Sequence, residues 1–323
     1  KRGLLEAPNQ RVVINARICE GCGDCGQVSN CLSVQPVETP FGRKTEIDQT
    51  TCNLDYSCLE GDCPSFMAVK YKEPGRLAKL FGRDQGPTAA GPVAPSSGPT
   101  PPDAPDPELV VPEDDFAMRI TGIGGTGVVT VAQVLGTAAM LAGYNVRGLD
   151  QIGLSQKAGP VLSDVRLSRS GPTPTNRLGR GQADLLLAFD QLVAGSDRGL
   201  LASDKAATVA VGSTSTTPTG DMITHLDLAL PSVDELVDRI NTQTRDGHHW
   251  ADAQAITEDI FGQSTTANMF VVGMAVQAGA LPIGAGFVEQ AITLNGVAVD
   301  SNTAAFRWGR AQVFDPAAVE AAR

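Results

Sequence analysis

Residues 116–130 read FAMRITGIGGTGVVT. A strand-like run enters Gly122-Ile123-Gly124-Gly125-Thr126-Gly127, and an apolar helical stretch follows to Ala142, with Gly143 placed to cap it. Strand, glycine turn and helix in that order open an α/β domain. Outward from this stretch, residues 144–149, 161–167, 184–189 and 207–211 read as further strands. Residues 232–241, 251–261, 267–278, 287–294 and 303–313 carry helical patterns. Strands with crossover helices predict a three-layer α/β domain with a mostly parallel sheet over residues 114–323.

The glycine turn satisfies GxGxxG between a strand and a helix, the setting of a phosphate cradle at a helix N-terminus. Asp150 ends the next strand, where a ribose-binding acid would stand. Yet QIGLSQKAGP, residues 151–160, is too short and too rich in glycine and proline for a crossover helix. A dinucleotide half is therefore not completed. Gly122, Gly124, Gly125, Thr126 and Gly127 read as an anion cradle or an interface turn in preference to an NAD site. The plain structural alternative is close helix–strand packing. Lys157, in the glycine-rich loop, faces a phosphate or is a surface lysine. His225 and the His248-His249 pair come without a nucleophile pattern, and the pair, in the polar stretch 246–252, reads as solvated. Asn268 opens an apolar helix and reads as an N-cap-region residue.

All seven cysteines lie within 45 residues, between Cys19 and Cys63, and the 260 residues after Cys63 hold none. A disulfide scaffold would spread its cysteines and prefer an even number, so the clustering points to metal in a reducing compartment. Cys19-x2-Cys22-x2-Cys25 has the spacing of a ferredoxin cluster loop, in which the fourth cysteine of each run serves the other cluster. The second run ends in Cys63-Pro64. This assigns a first 4Fe–4S cluster to Cys19, Cys22, Cys25 and Cys63. A second cluster falls to Cys31, Cys52 and Cys58, with Asp55 where the second thiolate of Cys-x2-Cys-x2-Cys belongs. Oxygen is a harder donor than thiolate, so this cluster is expected to hold one iron weakly or to be 3Fe–4S. Two blander readings stand beside these: Asp55 caps a loop turn, or the cysteines form a structural zinc site. A zinc ribbon wants two CxxC pairs, and Cys52 and Cys58 have five residues between them.

The whole chain has 323 residues, 42% hydrophobic and 19% charged, the composition of a folded protein of about two domains. Nine prolines between Pro87 and Pro112 mark a boundary. The expected layout is an α+β ferredoxin-type iron–sulfur domain at 1–82, a proline-rich linker at 83–113 and the α/β domain at 114–323. No apolar run approaches the roughly 18–20 residues of a membrane span. A net charge of -11 argues against nucleic acid and acidic membranes as partners. The chain opens at Lys1 without a leader pattern, and 315–323 (DPAAVEAAR) reads as a helix cut off in mid-pattern. The expectation is a cytoplasmic piece of a longer polypeptide, or a processed subunit.

Five stretches carry a family resemblance: residues 18–44 (ICEGCGDCGQVSNCLSVQPVETPFGRK), 52–66 (CNLDYSCLEGDCPSF), 122–130 (GIGGTGVVT), 149–167 (LDQIGLSQKAGPVLSDVRL) and 294–310 (LNGVAVDSNTAAFRWGR). Together they resemble the indolepyruvate ferredoxin oxidoreductase family, above all its long fused bacterial members, within the 2-oxoacid:ferredoxin oxidoreductases. The resemblance implies thiamine-diphosphate-dependent decarboxylation of a 2-oxo acid in a partner domain with its magnesium ion. Electrons then pass through clusters to ferredoxin, and the acyl group goes to coenzyme A. The segment from Phe116 onward is similar to the family's gamma domain. No GDG-to-Asn stretch that would hold thiamine diphosphate is present, so no catalytic residue is assigned to this chain. It is expected to relay electrons within an oligomeric enzyme. The alternative function is a flavin- or NAD-linked reductase with a ferredoxin arm that uses the glycine turn for its nucleotide.

Overall fold

The structure, a computed structural model, describes residues 8–29, 31–70, 98–153, 159–172, 175–219, 222, 228 and 231–323. The chain divides into two compact units, the first Lys1–Ala94 with Gly220–Ala229 and the second the remainder.

The first unit runs β1 (Gln10–Ile14), α1 (Asp24–Ser29), β2 (Val34–Thr39), β3 (Gly42–Ile47), a 3-10 turn (Ser57–Gly61) and β4 (Phe66–Lys70). β1 and β4 pair antiparallel from Gln10↔Lys70 to Ile14↔Phe66. β2 and β3 form a hairpin closed at Thr39↔Gly42. Each half therefore repeats strand, cysteine loop, helical turn and strand. Val12, Val34 and Ile47 are buried between the pairs.

The second unit is a mixed α/β fold around a six-stranded, mostly parallel sheet. β5 (Asp115–Ile123) leads through α2 (Val128–Leu141) to β6 (Asn145–Ile152) and β7 (Pro160–Ser168). β8 (Leu185–Ala188), α3 (Gln191–Ala194), α4 (Asp197–Leu200), β9 (Val209–Ser213), α5 (Val233–Asn241) and β10 (His249–Ala251) follow. Five helices close the chain: α6 (Ala253–Phe261), α7 (Ala267–Gln277), α8 (Ala285–Asn295), α9 (Val299–Phe314) and α10 (Pro316–Ala322). The strand order is β10-β9-β8-β5-β7-β6. β5, β8, β9 and β10 run parallel, and β7 is antiparallel to both β5 and β6.

Alternation along the buried strands sends side chains to both faces. Met118, Ile120, Leu185 and Leu187 join the large core with α2 and α7. Leu186, Ala188 and Ala210 meet Ala194 and Ile240 on the other face. Helices thus cover both sides, in three layers. Gly143 caps α2 as expected: its N–H reaches Met140 O (3.1 Å) and that of Tyr144 reaches Ala139 O (3.0 Å), a Schellman arrangement.

Two expectations need correction. The span 83–113 was expected to be a spacer; its residues 83–97 lie outside the described residues, and 98–112 are laid along the second unit. Trp308 Nε1 donates to Pro99 O (3.0 Å), Arg310 to Ala104 O and Pro105 O, and Val110 N to Gly279 O (2.9 Å). Proline removes N–H donors but leaves carbonyls, and those of Pro99 and Pro105 are acceptors here. The expected polar loop at 246–252 instead contains β10, paired parallel with β9 through His249↔Val211. His249 is half-buried, and burial first and the His248 charge second hold its imidazole below the usual range.

Candidate functional site

The first unit's loops set the cysteines. Cys19, Cys22, Cys25 and Cys63 all line one cavity of about 360 Å³, with Cys58 also on its wall. Gly21 and Gly23 take φ of +71° and +83°, a turn that glycine enters at no steric cost. The turn aims Gly21 N at Cys19 Sγ, 3.4 Å away. Asn15 O accepts from the Cys19 amide (2.9 Å), and Lys44 Nζ donates to Cys19 O (2.7 Å). Ser65 Oγ lies 3.0 Å from Cys63 Sγ. The Thr45 hydroxyl, buried beside Cys25, finds no nitrogen or oxygen partner. All seven cysteines are free; Cys19 and Cys31 are buried and Cys22 is exposed.

Their electrostatics fall into two groups. Burial pushes the Cys25 thiol up, and the nearby Cys19 and Cys22 push the same way, against the Thr45 hydroxyl and the Gly26 amide. Cys58 is pushed up to about 11, first by burial and then by Cys31 and Cys52, with Asp55 adding to it. So Cys19 and Cys22 act on Cys25, while Cys31, Cys52 and Asp55 act on Cys58, which also stands on the wall of the cavity. Soft sulfur donors in such a crowd suit a cationic thiophilic centre. Among the described residues no three His, Cys, Asp or Glu side chains converge for a single metal ion. A zinc site draws four sulfurs to about 2.3 Å from one point. An iron–sulfur cluster instead takes thiolates at separate irons, so its sulfurs line a volume. The cavity, with Cys19, Cys22, Cys25 and Cys63 spread over its wall and Cys58 beside them, fits that second requirement.

Asp55 is exposed and its carboxylate works within the loop. Oδ1 accepts from Ser57 N (3.1 Å) and Ser57 Oγ (2.9 Å), and Oδ2 from Asn53 Nδ2 (3.1 Å). It therefore caps its turn as well as standing near Cys58.

The glycine turn of the second unit is closely packed. A Cβ on Gly122 would lie 2.6 Å from Val128 Cγ2, so only glycine lets α2 start this near the end of β5. Gly124 N donates to Gly159 O (2.7 Å) and Thr126 N to Ile123 O (3.2 Å), which spends two amides a phosphate would use. Asn268, expected near a helix start, lies in α7 and its Nδ2 donates to Thr126 O at 2.7 Å. Sequence reasoning missed this clamp because 142 residues separate the partners. Asp150 accepts from Ser163 Oγ (2.6 Å) across the β6–β7 pair. Because β7 intervenes, Asp150 stands two strands from β5, roughly 10 Å, and not beside the turn. The turn and the acid of the alternative nucleotide reading are not brought together. Lys157 and His225 lie outside the described residues. No helix among the described residues is long and apolar enough to cross a membrane.

This mostly parallel sheet with a glycine turn after its first strand is accompanied by a match to a known family. The model of the pyruvate ferredoxin/flavodoxin oxidoreductase family matches residues 117–312, and the chain belongs to that family. The indolepyruvate oxidoreductase subunit IorB of Pyrococcus horikoshii is 32% identical over 199 residues, 60% of this chain and 94% of the relative. The subunit of the same name from Archaeoglobus fulgidus is 28% identical over 204 residues, 62% of this chain and 97% of the relative. Among solved structures, the pyruvate oxidoreductase subunit PORC of Thermotoga maritima covers 61% of this chain and 96% of its own length. Its identity is 16% and its TM-score 0.44. The resemblance to the indolepyruvate ferredoxin oxidoreductases is borne out, and the chain is part of an oxidoreductase. The cysteines lie before the matched residues.

Proposed function

We propose that this chain is the electron-transfer and assembly segment of a thiamine-dependent 2-oxoacid:ferredoxin oxidoreductase of the indolepyruvate type. The observation that carries the reading is the cavity on which Cys19, Cys22, Cys25 and Cys63 meet, at the spacing of a ferredoxin loop and its closing Cys-Pro. These four residues would hold a 4Fe–4S cluster, which when bound accepts and releases one electron at a time. The chain's own groups hold the thiolates and screen them: Gly21 N toward Cys19 Sγ, Ser65 Oγ toward Cys63, and Ile14 and Ile18 on the wall. Together, residues 1–82 would then act as a ferredoxin-type domain. The α/β unit from 114 onward serves assembly, with the glycine turn as a packing joint at an interface with thiamine-bearing domains. Those partner domains supply thiamine diphosphate and magnesium, ferredoxin takes the electrons, and coenzyme A is the acyl acceptor, in a cytoplasmic oligomer.

The test is the full chain purified without oxygen. Iron and acid-labile sulfide in equal amounts, with a reduced-state paramagnetic signal lost in Cys25→Ala, are expected. Zinc without iron or sulfide would establish an assembly module in place of a relay. A stoichiometric bound flavin would favour the nucleotide-linked reductase.

A further inference from the structure

Two buried hydroxyls stand among the sulfurs of the cavity. Ser65 is 2% exposed, and its Oγ lies 3.0 Å from Cys63 Sγ. Thr45 is 4% exposed, lines the same cavity as Cys25, and has no nitrogen or oxygen partner among the described residues. It is carried there by β3, on which the first cysteine loop rests: a Cβ on Gly21 would collide with Arg43 O. Burying a hydroxyl without a partner is costly, and valine, of the same shape, suits a strand equally well. Sulfur is the acceptor left to Thr45, and its hydrogen bond favours the Cys25 thiolate against the burial that pushes the thiol up. The hydroxyl beside Cys63 is not a mere product of the repeat. Cys31-Leu32-Ser33 in the other half matches Cys63-Pro64-Ser65, and the Ser33 and Ser65 carbonyls accept from Asp48 N and Asn15 N, each at 2.8 Å. Yet Ser33 Oγ accepts from Thr51 Oγ1 (3.1 Å), whereas Ser65 Oγ turns to sulfur.

We propose that Thr45 and Ser65 are positioning residues that donate to the Cys25 and Cys63 thiolates and raise the reduction potential of the cluster these hold. The inference rests on the reading of this cavity as a 4Fe–4S site. A ligating cysteine is deprotonated, so beside it both hydroxyls can only donate. One electron added to the cluster adds one negative charge, shared with its sulfurs. A donor fixed at those sulfurs therefore binds the reduced state more strongly than the oxidised one. Hydrogen bonds to ligand sulfurs are among the levers that set such potentials. The hydroxyl protons stay on oxygen in both states.

The experiment is a potentiometric titration of the full chain without oxygen, with dithionite as reductant and the reduced-state paramagnetic signal as readout. Thr45→Val and Ser65→Ala should each weaken the affinity for the electron about tenfold, a fall of about 59 mV for a one-electron couple. Thr45→Ser, which keeps the donor, should stay near wild type, and so should Ser33→Ala. Iron and labile sulfide are measured in each variant to establish that the same cluster is titrated. An unchanged potential in Thr45→Val or Ser65→Ala with the cluster intact would overturn the proposal and leave the relay reading standing. A shift as large in Ser33→Ala would do the same. If one of the two variants loses its iron, the other decides. Loss of iron from both while Thr45→Ser keeps it would overturn the proposal too, since the hydroxyls would then hold the loops and not tune the cluster. Absence of iron and sulfide from the wild type overturns both readings.

Discussion

Between residues 8 and 70, the buried apolar side chains among those described are Val12, Val34 and Ile47, with Cys19 and Cys31 beside them. The α/β unit instead buries Met118, Ile120, Leu135, Leu167, Phe270 and Phe306 in one continuous cluster that also takes in α6 to α10. Among the described residues the first unit offers little buried apolar area to offset chain entropy, and small units with thin cores often add metals or disulfides. The cysteine unit has free thiols where the other has phenylalanine and leucine. On the proposed reading, the clusters are its core.

That difference gives the largest expected effect. Stripping iron from the full chain under anaerobic chelation should unfold the cysteine unit and leave the α/β unit standing, since metal-binding free energy is folding free energy in such domains. Hydrogen exchange checks it: the β1 and β4 amides should lose protection while those of β5 and β8 keep theirs. Protection of Val12 and Val13 that survives without iron would break the comparison.

The α/β unit has its own costly element. Arg119 on β5 and Asp164 on β7 sit directly opposite each other, bidentate at 2.7 and 2.9 Å, with side chains 3% and 0% exposed. Arg119 also donates to Arg198 O, and Asp164 also accepts from Leu178 N and, at 3.5 Å, from Gln151 Nε2. Removing one partner leaves a buried charge uncompensated, so Asp164→Ala should cost about 3–5 kcal/mol. Arg119→Met combined with Asp164→Leu should recover most of it. Urea midpoints of the second transition decide; an Asp164→Ala midpoint equal to wild type would mean that water reaches the pair.

What the sequence made legible is what is local. The cysteine spacing could be read because cluster chemistry fixes residue type and interval within one loop. The glycine turn, α2 and its Gly143 cap share that property. Pairings across the chain could not be read. Nothing near residue 119 announces Asp164, and nothing between 144 and 167 announces that β7 inserts between β5 and β6. β10 is three residues long, too short for a periodic signal. Proline composition suggests a linker, but it says nothing of Trp308 and Arg310, 209 and 206 residues away from the Pro99 and Ala104 carbonyls that they bind.

The smallest expected effect concerns the charge that a large core tolerates least. Asp190 follows β8 and caps α3, accepting from Val193 N at 2.9 Å, and only 3% of the residue is exposed. Burial pushes its carboxyl up to about 6, against the Val193 and Leu192 amides that favour the ionised form. An unfolded aspartate titrates near 3.9. Between about pH 4 and 6 the folded chain therefore keeps a proton that the unfolded chain has released, and stability falls as pH rises through that window. Above it the loss is complete, at most roughly 3 kcal/mol for a shift of about two units. Asp190→Asn keeps a side chain that caps helices equally well and removes the charge. It should match wild type at pH 4 and exceed it by up to that amount at pH 7. Urea midpoints of the α/β transition at pH 4, 5, 6 and 7 read this directly. Parallel curves for the two proteins would show that Asp190 does not titrate in this window. The large core would then bear no cost from its charge, and the contrast with the cysteine unit would narrow.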